Sequence, residues 1–175
     1  MQFTSDIEWY VMRATYQREL IAQRVLDSMG VESFVPTVLM EKKQKMGLQE
    51  VSMLHNYIFI RTSTIELQEI KTTKLPYLRY LMANGANGEP EAQFVPADQM
   101  ENFMAVCRSE GAKLLNPDID LRSGDRVKII GGHLAGVEGT YMKVSAKNEK
   151  RVVVKIDGIA AVATAAIQAS LVQKI

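Results

Sequence analysis

The chain of 175 residues has one cysteine, Cys107, and two histidines, His55 and His133. A lone cysteine excludes an internal disulfide and fits a reducing cytosol. With two isolated histidines it leaves no zinc-ligand spacing. No apolar run approaches the ~20 residues that a membrane-spanning helix needs. The opening MQFTSDIEWY lacks the basic and apolar regions of a signal peptide. The expectation is a cytoplasmic protein. Net charge is only +1, which argues against a chain that grips nucleic acid by bulk electrostatics. There is no P-loop, no dinucleotide fingerprint and no justifiable Ser-His-Asp set. The chain is therefore expected to be non-enzymatic and to need no cofactor or metal.

What is present is ample apolar material, 47% of residues, in periodic runs. Ile7 to Arg13 is rich in β-branched and aromatic residues and reads as a strand. Gln17 to Met29 reads as an amphipathic helix with Ile21, Ala22, Val25, Leu26 and Met29 on one face, closed by Gly30. Val31 to Val38 is extended around Pro36. Glu41 to Glu50 is a charged hairpin tip, and Val51 to Ile60 reads as one strand. Ser63-Thr64-Ile65-Glu66 has the form of a capping box. It opens a helix with Leu67, Ile70 and Leu75 inward, which Pro76 stops. Tyr77 to Met82 reads as a strand, and Asn84 to Pro90 as a turn. Pro96 opens a third helix with Met100, Phe103, Met104 and Cys107 at helical spacing. The order β-α-β-β-β-α-β-α predicts an α+β fold with a mostly antiparallel sheet.

Residues 111–120 lack periodicity and carry Asn116-Pro117, so the domain boundary is placed there. Short strands follow at about 126–130, 138–144, 151–156, 160–164 and 171–174, the pattern of a small antiparallel barrel. The first of them runs through Val127 and Ile129 into Gly131-Gly132. Gly136 and Gly139 come next, then a second strand from Thr140 to Val144. Glycines at this spacing permit positive φ and close backbone approach.

The segment Gly124 to Val144 resembles the KOW motif, with Gly124, Val127, Gly132, Gly136 and Gly139 at its key positions. Glu8-Trp9-Tyr10-Val11, an amphipathic helix and Asn56-Tyr57-Ile58-Phe59-Ile60 precede it. That order resembles the NusG family of transcription elongation factors over nearly the whole chain. The resemblance implies an NGN domain at 1–110, a linker at 111–120 and an SH3-like KOW barrel at 121–175. The family's Phe-Pro-Gly-Tyr reads Leu54-His55-Asn56-Tyr57 here. The Asn-Tyr pair is more similar to the operon-restricted branch, of RfaH and UpxY type.

That branch implies an antitermination factor that binds the clamp helices of RNA polymerase and suppresses pausing or termination on long operons such as capsular polysaccharide loci. The candidate contacts are Trp9, Tyr10, Leu54, Tyr57 and Phe59. Strand alternation sets Tyr57 and Phe59 opposite Ile58 and Ile60, and Trp9 opposite Tyr10. Arg18, Arg24, Lys42, Lys43, Lys45 and Arg79 are candidates for contact with non-template or upstream DNA, although Thr15 and Val25 are not basic. The KOW domain would recruit the ribosome or a termination factor. Asp157 stands where the housekeeping factor carries an exposed aromatic, which counts against the termination factor, and Ile159 is the candidate ribosomal contact. The family suggests a monomer.

Two alternatives stay open. One is a housekeeping NusG-type factor. The other is a KOW-type RNA-binding protein of ribosome assembly, weakened by a barrel with few aromatics beyond Tyr141. One local conflict remains. Ile159 to Leu171 falls where the fold wants strands, yet its alanines favour helix. A switch between the two forms is a hypothesis, set against the strongly β-forming Arg151 to Ile156.

Overall fold

A computed structural model describes residues 1–41 and 46–175. Backbone contacts divide the chain into two compact units, Met1–Ala97 and Asp98–Ile175. All strand pairs are antiparallel, and the fold class is α+β. No helix among the described residues is long and apolar enough to cross a membrane.

The first unit is built on β1 (Glu8–Ala14), which pairs with β5 (Tyr57–Thr62), β6 (Leu78–Tyr80) and β9 (Phe94–Val95), while β2 (Ser33–Phe34) adds to β5. Helices α1 (Glu19–Ser28) and α2 (Thr64–Thr73) supply the core of one sheet face. Tyr10, Met12, Ile58 and Ile60 cluster there with Ala22, Leu26, Leu67 and Ile70. The expected inward positions Leu67, Ile70 and Leu75 are all buried. Helix α1 is rotated from expectation. Glu19, Ala22 and Leu26 are its buried residues, and Ile21 and Met29 are exposed. The apolar stripe read from sequence was wider than the seam that the sheet can cover.

The capping box forms in half. Ser63 Oγ accepts from the Glu66 amide at 3.1 Å, while the Glu66 carboxylate accepts from Thr62 Oγ1 instead of returning to the cap. Two hairpins stand apart from the main sheet: β3 (Thr37–Glu41) with β4 (Leu48–Ser52), and β7 (Met82–Asn84) with β8 (Pro90–Ala92). Val51 to Ile60 is not one strand. It breaks at 53–56, where Asn56 takes φ +69°.

The second unit is a six-stranded sheet in the order β10 (Lys113–Leu115), β14 (Ala160–Ala163), β13 (Lys150–Ile156), β12 (Glu138–Lys143), β11 (Asp125–Ile129), β15 (Val172–Lys174). Helix α3 (Ala97–Cys107) belongs with it. Gln99 donates to the Lys155 carbonyl at 2.6 Å, and Asn102 accepts from the Glu138 amide at 3.2 Å. Within 111–120, Lys113–Leu115 is a strand on β14, and Leu115 and Ile119 pack on the sheet core.

The KOW glycines have physical reasons. A Cβ on Gly139 would come within 2.6 Å of the Val153 carbonyl oxygen, and Gly136 has φ +96°. Ala160–Ala163 is a fully buried strand, so tertiary burial overrides alanine's helical preference in this state.

Candidate functional site

The face of the β1–β5 sheet turned away from α1 and α2 carries Trp9, Val11 and Arg13 from β1 and Tyr57, Phe59 and Arg61 from β5. The register sets Trp9 opposite Arg61, Val11 opposite Phe59 and Arg13 opposite Tyr57. Phe34 pairs with Phe59, their rings 6.4 Å apart, and Val95 pairs with Trp9. The result is an apolar stripe with a polar and cationic rim.

The five expected polymerase contacts are not equivalent. Tyr10 points into the α1/α2 core and is 4% exposed, so it is removed from the candidate surface. Trp9 and Phe59 lie on the stripe but are 4% and 0% exposed. The expectation that they form an open hollow is therefore corrected: both side chains are sealed in this state. Leu54 and Tyr57 are half-buried. Leu54 sits in the 53–56 turn and not on the strand.

The turn joining β1 to α1 is the most strained part of the unit. Tyr16 and Gln17 have φ +59° and +53°, next to Asn56 at +69°. Positive φ is costly at Tyr16 and Gln17 and tolerated at Asn56. Asn56 holds the turn with two bonds. Its carbonyl accepts from the Ala14 amide at 2.8 Å, and its side-chain oxygen accepts from the Gln17 amide at 3.0 Å. The family pattern's glycine at this position thus has a conformational equivalent in Asn, since both tolerate left-handed backbone. The Gly-to-Asn difference alone is weak evidence for a branch.

Arg18 is committed to structure. Its guanidinium carbon lies 4.0 Å from the Tyr77 ring centroid and 5.4 Å from that of Tyr16, and its Nε donates to the Thr15 carbonyl. Burial pushes the Tyr77 phenol up, and the Arg18 charge partly opposes this. Arg24 is exposed on α1. Lys42, Lys43 and Lys45 lie outside the described residues. Arg79 sits directly opposite Arg13 on paired strands. Like charges so placed are destabilising, and neither arginine has a carboxylate within 4 Å among the described residues. Arg13, Thr15, Tyr16, Asn56 and Arg79 line a cavity of about 480 Å³. Tyr16 is 87% exposed.

Of the residues around this cavity, the sequence reading named Arg79 as a candidate and Asn56 as part of its Asn-Tyr motif, but not Arg13 or Tyr16. Arg13 had a signal: it is the only charged residue between Trp9 and Ala14.

Beneath the turn, Glu19 is 2% exposed and lies 3.6 Å from His55 Nδ1. Its second carboxylate oxygen has no partner among the described residues. Cys107 is buried, and burial pushes its thiol up to about 12. It behaves as the core residue that its helical spacing predicts.

The family model for NusG, described as a transcription termination factor, matches residues 7–104, more than half of the chain. The chain belongs to the NusG family. Members of this family are non-enzymatic transcription factors, and NusG membership implies RNA polymerase as a partner. No curated protein matches the chain. A solved structure of NusG from Thermotoga maritima, described under domain interaction, aligns with 97% of this chain and 98% of its own at 17% identity and a TM-score of 0.48. A likeness that loose carries no argument about function.

Proposed function

We propose that this NusG-family chain is an elongation and antitermination factor that docks on the RNA polymerase clamp helices through the sheet face bearing Trp9, Phe59 and Tyr57 and through Leu54 in the adjoining turn. The observation that carries the reading is the apolar stripe facing away from the α1/α2 core, with Arg13, Arg61 and Arg79 at its rim. Trp9, Val11, Phe34 and Phe59 on that face are sealed in this state, so what it offers a partner without rearrangement is Tyr57, with Leu54 in the adjoining turn. Leu54 and Tyr57 are reachable as they stand, and engagement of Trp9 and Phe59 requires that face to open. A ligand that binds only the closed clamp shifts the population towards that state, which is how contact alone suppresses pausing.

The cavity between Arg13, Tyr16 and Arg79 supports a contact to displaced or upstream DNA beside the polymerase, because two uncompensated guanidinium groups favour phosphate. Operon restriction is favoured over the housekeeping role by Asp157. Its side chain is 94% exposed and 3.7 Å from Lys155, where the housekeeping pattern has an aromatic for a termination factor. Ribosomal docking through Ile159 has less support, since Ile159 is 5% exposed.

The test is binding of the full chain to a clamp-helix fragment. Leu54→Ala and Tyr57→Ala together are expected to weaken it at least tenfold, in line with the ~1–2 kcal/mol that a central contact contributes. Unchanged affinity in a double variant with wild-type melting behaviour overturns the docking assignment.

A further inference from the structure

Glu19 is an acid in a place that folding does not favour. It stands in the first turn of α1 and is buried like Ala22 and Leu26 of the same helix. The helix N-terminus offsets part of the cost of burying a carboxylate. One carboxylate oxygen nevertheless has no partner among the described residues, and a buried group left so opposes stability. The other oxygen lies 3.6 Å from His55 Nδ1, and His55 is the one basic side chain within 4 Å of it among the described residues. His55 belongs to the 53–56 turn, which lies outside the β4 and β5 ladders. The Met53 amide donates to the Pro36 carbonyl at 2.8 Å, and Ser52 Oγ donates to the Leu54 carbonyl at 3.0 Å. The Ala14 and Gln17 amides hold Asn56. Those bonds fasten the two ends of the turn, and the Glu19 contact ties its middle to α1.

We infer that Glu19 is a positioning residue: its carboxylate holds His55 and thereby sets how the turn presents Leu54 and Tyr57. The inference rests on the docking reading above and adds to it a residue that touches no partner. Glu19 is covered and cannot meet the polymerase, so it acts through His55. A charge that is costly to bury, gripping the turn that carries the reachable docking side chains, has opposite consequences for stability and for docking. Its removal relieves the fold and loosens the turn.

The experiment compares the full chain with Glu19→Gln, His55→Ala, the double variant and His55→Lys. Amide hydrogen exchange is read by NMR, and binding to a clamp-helix fragment is read beside it. Glu19→Gln and His55→Ala should each speed exchange at the Ala14 and Gln17 amides by about fivefold or more, as local opening does. The Val31 and Leu67 amides, bonded to the Leu26 and Ser63 carbonyls at the end of α1 and the start of α2, should be unchanged, which excludes a loss of the whole unit. The melting temperature of Glu19→Gln should equal or exceed the parent's. Each single variant should weaken docking by about threefold or more, and the double variant no further, since both break one contact. His55→Lys keeps a cation beside the carboxylate and should restore exchange and docking. Unchanged exchange at Ala14 and Gln17 overturns the inference. So does faster exchange with unchanged docking, which would leave Glu19 a structural residue only. A parent chain that does not bind the fragment overturns the docking reading and the positioning role with it, while the exchange rates still decide whether Glu19 holds the turn.

Discussion

Arg13 and Arg79 in the first unit and Lys143 and Lys150 in the second are one arrangement in two settings. Each pair places like charges directly opposite on antiparallel strands. The arginines border a cavity, and Arg79 is tied to the Pro76 and Leu78 carbonyls. The lysines stand at an open hairpin tip. Planar, anchored guanidinium groups can impose geometry on a ligand, whereas mobile ammonium groups sense only charge. The comparison teaches that each sheet carries a like-charged pair at a net charge near zero, one with an arginine anchored to backbone carbonyls and one without.

The scaffolds beneath the two pairs can be broken separately, and these are the largest effects expected. Ile58→Ala empties a fully buried position against α1 and α2 and should cost about 2–5 kcal/mol. Gly139→Val forces side-chain atoms against the Val153 carbonyl and should cost ~3 kcal/mol or more, at the upper end for overpacking. In calorimetry of the full chain, the first substitution should shift the transition of residues 1–97 and the second that of 98–175. A single transition moved equally by both would show that the units do not melt independently, and the comparison would lose its footing.

Next in size is the strained turn, which has no counterpart in the second unit. Asn56→Ala removes a side-chain bond to the Gln17 amide and puts a residue ill-suited to φ +69° in its place. A loss of about 1–2 kcal/mol is expected. Asn56→Gly restores the backbone freedom but not the bond, so it should recover roughly half of that loss. Equal losses for Ala and Gly would place the whole effect in the hydrogen bond and remove the conformational argument for this position.

This turn also shows what the sequence could and could not disclose. The strands, the three helices and the Ser63 cap were legible because hydrophobic period and capping chemistry are local. The KOW hairpin was legible because its glycines answer to backbone geometry. The break at 53–56 was not, since Val51 to Ile60 is mostly strand-like and the bend is held by non-local bonds, from the Ala14 and Gln17 amides to Asn56 and from the Met53 amide to the Pro36 carbonyl. The rotation of α1 was hidden for the same reason: periodicity gives a stripe, and the sheet decides which part of it is covered. Gln99 and Asn102, which tie α3 to Lys155 and Glu138, are polar residues that no periodic pattern singles out. Of the candidate contacts, the alternation of Tyr57 and Phe59 against Ile58 and Ile60 was read correctly. The burial of Trp9 and Phe59 depends on what lies over them and is not a property of the strand.

A smaller effect, of opposite sign, tests the like-charge pairs themselves. Lys143→Thr replaces one of two facing lysines with a strand-forming residue. It should stabilise the second unit by a few tenths to about 1 kcal/mol, the range for cross-strand pairs. Arg79→Thr relieves the equivalent repulsion but forfeits two bonds to backbone carbonyls, so its gain should be smaller or absent. Denaturant midpoints with unchanged slopes would measure both. If Lys143→Thr destabilises, the hairpin charges are not in conflict with the fold.

The smallest expected effect separates the units by pH. Among the described residues, the carboxylates held below their ordinary range are Asp120 and Asp125, both in the second unit. A hydrogen bond from the Arg122 guanidinium brings Asp120 down to about 2, and one from Lys174 at 2.7 Å lowers Asp125. A carboxylate whose folded pKa lies below its unfolded value of about 3.9 contributes fully above that value. The contribution fades as pH falls towards the folded value. Acidification from pH 5 to pH 2 should therefore weaken the second unit through these two groups in particular. The change should be small, because both carboxylates are solvent-exposed and their pairs are screened. Lys174→Gln should remove the Asp125 part of the acid sensitivity while leaving that of Asp120, since Lys174 pairs with Asp125 and Asp120 pairs with Arg122. An acid response of the second unit identical in Lys174→Gln and the parent would mean that the Asp125–Lys174 pair does not fasten β15 to β11.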